Sequence, residues 1–193
     1  MKGKKNVVVL AIPRGGVIVA KEVANIIEAP LDLVITRKIG APDNPELAVG
    51  AVSQDGEMIT SRELVRMLGI PDDYLRDESA RQLEEIRSRM KKYRGSRPYP
   101  QLEGKTVVIL DDGIATGSTI QAAAEFVRKK NAAHIILAAP VGPPDTVREL
   151  SKIVDRVVCL GTPAAFNAIG EFYEEFEQVE DDTVRKILSA ALP

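Results

Sequence analysis

Apolar residues in this chain come in short unbroken runs rather than in alternation. Asn6–Ile12 (NVVVLAI), Leu31–Thr36 (LDLVIT), the run from Val107 that ends in two carboxylates (VVILDD), His134–Ala139 (HIILAA) and Arg156–Leu160 (RVVCL) each have the length and β-branched content of a strand. Without alternation, such strands are expected to be covered on both faces, as in a parallel sheet. Helical spacing follows most of them: Val17, Ala20, Ala24 and Ile27 after the first, Ile120, Ala123, Ala124 and Val127 after the third, Val147 and Leu150 after the fourth. Alternating strands and helices predict an α/β fold, a doubly wound, mainly parallel sheet with helices on both faces.

The remaining segments carry other signals. Ile39–Glu46 holds two prolines and a glycine without periodicity and reads as a loop. Leu47–Val52 and Glu57–Thr60, joined by Ser53-Gln54-Asp55-Gly56, predict a hairpin. Ser61 starts a short helix that Gly69 and Pro71 end, and Asp77–Arg94 forms a longer, highly charged one with Leu83, Ile86, Met90 and Tyr93 on one stripe. Asp77 with Arg81 and Glu85 with Arg89 have the favourable i,i+4 order, each pair contributing about 0.2–0.5 kcal/mol. Asp145 is a candidate cap for the helix after His134–Ala139, and Asp182 or Thr183 for a terminal helix. The whole chain, 1–193, reads as one domain with a helical insertion over about 61–97 and a C-terminal tail or hood over about 162–193.

Composition narrows the function. A chain of 193 residues that is 45% hydrophobic can bury one full core. Its formal net charge of −2 argues against a bulk nucleic-acid or membrane-surface binder, so any anion site must be local. No run approaches a membrane span, and the apolar stretch after the basic start MKGKK is too short for a secretory signal, so a cytoplasmic protein is expected. The single cysteine, Cys159, reads as an interior thiol in a buried strand. His134, the single histidine, has no metal-ligand spacing around it and reads as a strand-edge or surface residue.

Candidate chemistry concentrates in Val107–Thr119, VVILDDGIATGST. A strand passes into Asp111-Asp112, a loop of small and hydroxyl residues, and a helix whose first N–H groups face the loop. In an open α/β sheet that loop lies where ligands bind, and it suits an anion. Two acids beside an anion cradle suit a sugar phosphate, whose hydroxyls need acceptors. The loop lacks the lysine of a nucleotide-binding P-loop, and Gly104-Lys105-Thr106 has Tyr99 where that motif needs a glycine. A plainer reading is an acidic turn followed by a helix cap. Pro13-Arg14-Gly15-Gly16 forms a second strand-to-helix loop, with glycines for close approach and a cation.

A hydrophobic run, Asp-Asp, small residues and then Thr-Gly-Ser-Thr resembles the PRPP-binding motif of type I phosphoribosyltransferases. RKIGAPDNPELAVGAV with its charged helical insertion looks like a subgroup of that family without an assigned substrate. The resemblance implies transfer of the 5-phosphoribosyl group of PRPP to a nitrogen nucleophile, such as a nucleobase, with release of pyrophosphate. It implies that Ala115, Thr116, Gly117, Ser118 and Thr119 hold the 5′-phosphate, while Asp111 and Asp112 take the ribose hydroxyls and the cationic transition state. Arg14, Gly15 and Gly16 would receive the pyrophosphate, in a loop that often has an unusual peptide conformation.

Arg37 and Lys38 would add charge, although paired cations at a strand end also suit a solvated terminus, and Ile39–Glu46 matches the mobile catalytic loop in position. Mg would come with PRPP, helped by Asp111 and Asp112, rather than sit in a protein cage. The aromatic tail AAFNAIGEFYEEF is either a fastening to the core or a lid, with Phe166 as the residue to stack on an acceptor. The implied partners are PRPP and a small-molecule acceptor of open identity, with no nucleic acid and no membrane. Dimers are common in the family, so a homodimer is compatible. Some members of the subgroup begin with an additional helical segment, which leaves the completeness of the hood open. A non-catalytic PRPP or nucleotide sensor is the alternative on the same fold, and a phosphate-ester hydrolase a third reading.

Overall fold

The computed structural model describes residues 6–191, and the basic start Met1–Lys5 lies outside them. All of β1 (Val7–Ala11) is buried, and its successive side chains feed two different cores. Val7, Val9 and Ala11 join one apolar cluster, Val8 and Leu10 the other. β6 (Thr106–Leu110) divides likewise, Val108 and Leu110 to the first cluster and Val107 and Ile109 to the second. Strands covered on both faces have no polar side, which is why their sequences are unbroken apolar runs.

The parallel sheet has the order β2 (Leu31–Leu33), β1, β6, β7 (His134–Val141), β8 (Arg156–Gly161). α1 (Gly16–Ile27) and α6 (Asp181–Ala191) pack in the first cluster, α4 (Ser118–Lys129) and α5 (Pro144–Leu150) in the second. The mainly parallel α/β architecture expected from the runs is therefore the one found. The chain leaves β1 toward β2 while β6 lies on its other side, so the strand order reverses there and the loops after β1 and β6 share the carboxyl edge at which open α/β sheets bind ligands.

The second sheet corrects the sequence reading. β3 (Thr36–Ala41), β4 (Asn44–Ser53) and β5 (Met58–Thr60) form an antiparallel sheet of their own. The expected strand Leu31–Thr36 ends at Leu33, so Arg37 and Lys38 lie inside β3 and not at a strand end. Ile39–Glu46 is mostly strand, turning only at Pro42-Asp43. Its prolines mask this: Pro45 sits where the β3–β4 register slips, and the register shift spares it a ladder hydrogen bond. The β4–β5 hairpin is as expected.

α2 (Arg62–Met67) is capped by Ser61, whose hydroxyl accepts from the Leu64 N–H at 3.3 Å. α3 (Asp72–Arg94) starts right after Pro71 rather than at Asp77, with Asp72 and Asp73 favourably placed at its positive end. It buries Ile86 and Tyr93 of the expected stripe, with Leu83 and Met90 partly buried. Among the described residues, Arg81 pairs with Glu78 at 2.6 Å instead of Asp77.

Smaller corrections follow from position in the fold. β8 is the outer edge of its sheet, so Cys159 is only half-buried and Leu160 is exposed. His134 is exposed, as expected. α5 begins at Pro144, a residue preorganised for the first helical position, so Asp145 lies in the first turn instead of capping it. α6 starts at Asp181, its first carbonyl partner being Glu180, which accepts from the N–H groups of Thr183 and Val184.

One polar pair is built into the core. Asp32, on β2, is 3% exposed and Arg94, at the end of α3, 8%. Arg94 Nε lies 2.6 Å from Asp32 Oδ1 and Nη2 2.8 Å from Oδ2, a two-pronged clasp. The guanidinium also donates to the Pro98 carbonyl at 2.9 Å and lies 5.0 Å above the Tyr99 ring. This clasp ties the helical insertion to the edge of the main sheet.

Candidate functional site

The loop after β6 is pinned in its middle and open at its end. Ile114 is fully buried and its N–H donates to the Val141 carbonyl at 2.8 Å, whereas Ala115 and Thr116 are exposed. Gly117 turns the chain into α4 with φ 79°, a left-handed conformation that favours glycine. Past that turn, the first N–H groups of the helix have no partner within the helix. The hydroxyls of Thr116 and Ser118 lie 3.1 Å apart beside them. Together these donors could hold an anion. Thr36 at the start of β3 donates to the Thr119 carbonyl at 2.9 Å, tying the second sheet to the start of α4.

The loop after β1 presses against this one. Ile12 N–H donates to the Leu110 carbonyl at 2.8 Å, and the Pro13–Arg14 peptide is cis. A Cβ on Gly15 would fall 1.7 Å from Asp112 Oδ2, and one on Gly16 2.9 Å from both the Asp111 Cα and the Leu110 carbonyl oxygen. Gly16 faces the backbone of the other loop, so the loops can meet only because that position lacks a side chain, whereas Gly15 faces the Asp112 side chain. Two motifs about a hundred residues apart in sequence thus share one edge of the sheet.

The carboxylates at the meeting point are unequal. Asp111 Oδ1 accepts from the Asp112 N–H at 2.9 Å. Burial, and then the adjacent Asp112 charge, push the Asp111 carboxyl well above the usual carboxylate range. A raised folded-state pKa favours the protonated form, so the contribution to stability is fully present below the unfolded pKa and is lost as pH rises through the folded one. Asp111→Asn removes that loss. The variant is expected to melt a few degrees higher than the native protein at neutral pH, with the difference fading toward acid, as thermal melts across pH will check.

The tail closes over the acids. Tyr173 donates to the Asp112 carbonyl oxygen at 2.6 Å, and the Ile169 side chain fills the space in front of Gly113. A cavity of 580 Å³ lies beneath, lined by Arg14, Gly15, Ile18, Asp112, Tyr173 and Phe176 among others. Phe166 is not among its walls; its ring stacks on Phe172, centroids 5.4 Å apart and planes 15° apart. Tyr173 and Phe176 are the aromatics that face the cavity. The sequence signalled an aromatic tail, but nearness to the last strand singles out Phe166, and only the folded path of the tail brings the later rings to the acids.

Arg37 and Lys38 are not gathered with the acids. They line a different cavity of 520 Å³ between the β3–β4 hairpin and α3. Arg37 Nε donates to Gln82 on α3 at 2.9 Å, and burial and then the Arg89 charge lower its pKa, while Lys38 is exposed. Among the described residues, no three His, Cys, Asp or Glu side chains converge as metal ligands, and no helix is long and apolar enough to cross a membrane.

Comparison with known proteins adds a family. The family model for the phosphoribosyl transferase domain matches residues 1–176. Proteins of two Mycobacterium tuberculosis strains, provisionally named phosphoribosyl transferases, are 43% identical over 187 residues, 97% of this chain. The chain spans 42% of the length of those relatives. A crystal structure of a protein from Thermus thermophilus matches with a TM-score of 0.84 at 40% identity, covering 99% of this chain and 90% of that one.

Proposed function

Because the chain belongs to the phosphoribosyl transferase family, we propose that it transfers the 5-phosphoribosyl group of PRPP to a nitrogen nucleophile and releases pyrophosphate. The supporting observation is the contact of Gly15 with Asp112, which sets a cation-bearing loop edge to edge with a carboxylate-bearing one. A substrate with an anion at each end and a sugar between them fits that edge.

In this reading the 5′-phosphate takes the N–H groups and hydroxyls from Ala115 to Thr119, and Asp111 and Asp112 accept from the ribose hydroxyls. Arg14, Gly15 and Gly16 meet the pyrophosphate. The bond from the anomeric carbon to the pyrophosphate oxygen breaks and one to the acceptor nitrogen forms, the nitrogen giving up its proton. Positive charge growing on the sugar faces two fixed acids. The same charge favours ionised Asp111, opposing the bias that burial and Asp112 give it.

Two adjacent carboxylates suit a hard cation shared with substrate oxygens, so Asp111 and Asp112 would help hold Mg brought by PRPP. Its chemistry there would be to neutralise the leaving pyrophosphate. Lys38 and Arg37, which line the other cavity, would add charge only if the hairpin moved toward the acids, Arg37 leaving Gln82 as well. Tyr173 and Phe176 are better placed than Phe166 to cover a planar acceptor, probed by nucleobases and amines. A cytoplasmic setting belongs to the same proposal.

The test is pyrophosphate release from Mg·PRPP across such a panel. Gly15→Ala is expected to lower release about 10²-fold with little change in melting temperature, because the new methyl meets the mobile end of Asp112 and swings it aside. PRPP binding without release for any acceptor would favour the sensor, and phosphate release without an acceptor the hydrolase.

A further inference from the structure

Asp181, the first residue of α6, belongs to neither substrate loop, yet three elements meet at its carboxylate. From the end of α3, Lys92 Nζ donates to Oδ2 at 2.5 Å and the Tyr93 hydroxyl donates to Oδ1. From the loop after β1, Arg14 Nη1 lies 3.7 Å from Oδ1. Among the described residues, Asp181 is the one carboxylate within 4.0 Å of the Arg14 guanidinium.

The post is firm. Hydrogen bonds from Lys92 and then Tyr93 hold the Asp181 carboxyl down at about 2, and burial and then Asp181 push the Tyr93 hydroxyl up to about 12. Both therefore keep one protonation state through the neutral range. Lys92 balances the charge of Asp181, so the group leaves the positive charge of Arg14 available to the cavity. A long side chain loses rotamer freedom when it binds an anion, and a contact that already restrains it lowers that cost.

We propose that Asp181 is a positioning residue for Arg14, holding the guanidinium where the pyrophosphate end of the substrate binds, so that α3 and α6 set the affinity of the loop after β1. This rests on Arg14 as the pyrophosphate contact in the proposed function. The closing experiment separates the two. Inorganic pyrophosphate with Mg is titrated into the native protein, Asp181→Asn, Arg14→Ala and the double variant, with ribose 5-phosphate as a probe of the other loop.

Asp181→Asn is expected to weaken pyrophosphate about tenfold, within the range for directly coupled neighbours, and to leave ribose 5-phosphate unchanged. In turnover it raises KM for PRPP more than it lowers kcat. Added to Arg14→Ala, it causes no further loss. Tyr93→Phe, which keeps the buried ring, gives a smaller loss in the same direction. Unchanged or tighter pyrophosphate binding in Asp181→Asn, an equal loss without Arg14, or a parallel loss of ribose 5-phosphate overturns the positioning role while the proposed function stands. A native protein that binds ribose 5-phosphate but no pyrophosphate removes the reading of Arg14 and this role with it.

Discussion

Asp112→Asn is expected to cut PRPP-dependent pyrophosphate release at least about 10²-fold, the usual cost of removing one preorganised electrostatic partner from a transition state. Asparagine keeps the shape and the oxygen that can accept from a ribose hydroxyl. It loses the negative charge that would face the developing sugar cation. The fold should not suffer, because Tyr173 grips the main-chain carbonyl of residue 112 rather than its carboxylate. Relief of the repulsion with Asp111 should even favour the folded state. Steady-state pyrophosphate release and a thermal melt of the same preparation check both halves. Full activity in a stable variant would remove Asp112 from the mechanism.

Asp32→Ala carries the largest expected effect on stability, a loss of about 3–5 kcal/mol, typical of breaking a buried ion pair. The substitution leaves the Arg94 guanidinium buried without its counter-charge, although the carbonyls of Arg97 and Pro98 still accept from it. For a chain of this size the melting temperature should fall by roughly 6–20 °C. Replacing both partners with apolar residues, as in Asp32→Leu with Arg94→Met, should restore much of the loss, since an apolar pair avoids the desolvation penalty. Chemical denaturation of the single and double variants measures this. Equal destabilisation in both would mean that the clasp contributes by shape rather than by charge.

The sequence shows local structure well and distant partnership poorly. β1 and β6 were legible because a strand feeding two cores has no polar side to hide it. The loop of Asp111 to Thr119 was legible because acids, hydroxyls and glycine must stand together in sequence to stand together in space. Gly15 and Gly16 read as places where the backbone comes close to a ligand; that they come close to Asp112 and Asp111 is a tertiary fact with no local sign.

The failures have the same cause. Asp32 interrupts an apolar run, and its partner Arg94 lies a whole helical insertion away. Arg37 and Lys38 look like a strand end because Val34 and Ile35, apolar and buried, continue the run while the chain is already passing between sheets. The β3–β4 pair hides behind prolines that a register slip tolerates. Cys159 sits in an apolar run like the others, but nothing in that run says that β8 has a neighbour on one side only. Asp181 draws no reading, since the cap candidates are its neighbours Asp182 and Thr183, and its contacts reach α3 and Arg14.

Calorimetric titration of Mg·PRPP into the native protein and into Asp111→Ala/Asp112→Ala tests the central claim most directly. Micromolar binding to the native protein, about −8 kcal/mol, that disappears in a folded double variant is the predicted result. No binding by the folded native protein, or equal binding by both proteins, would contradict it.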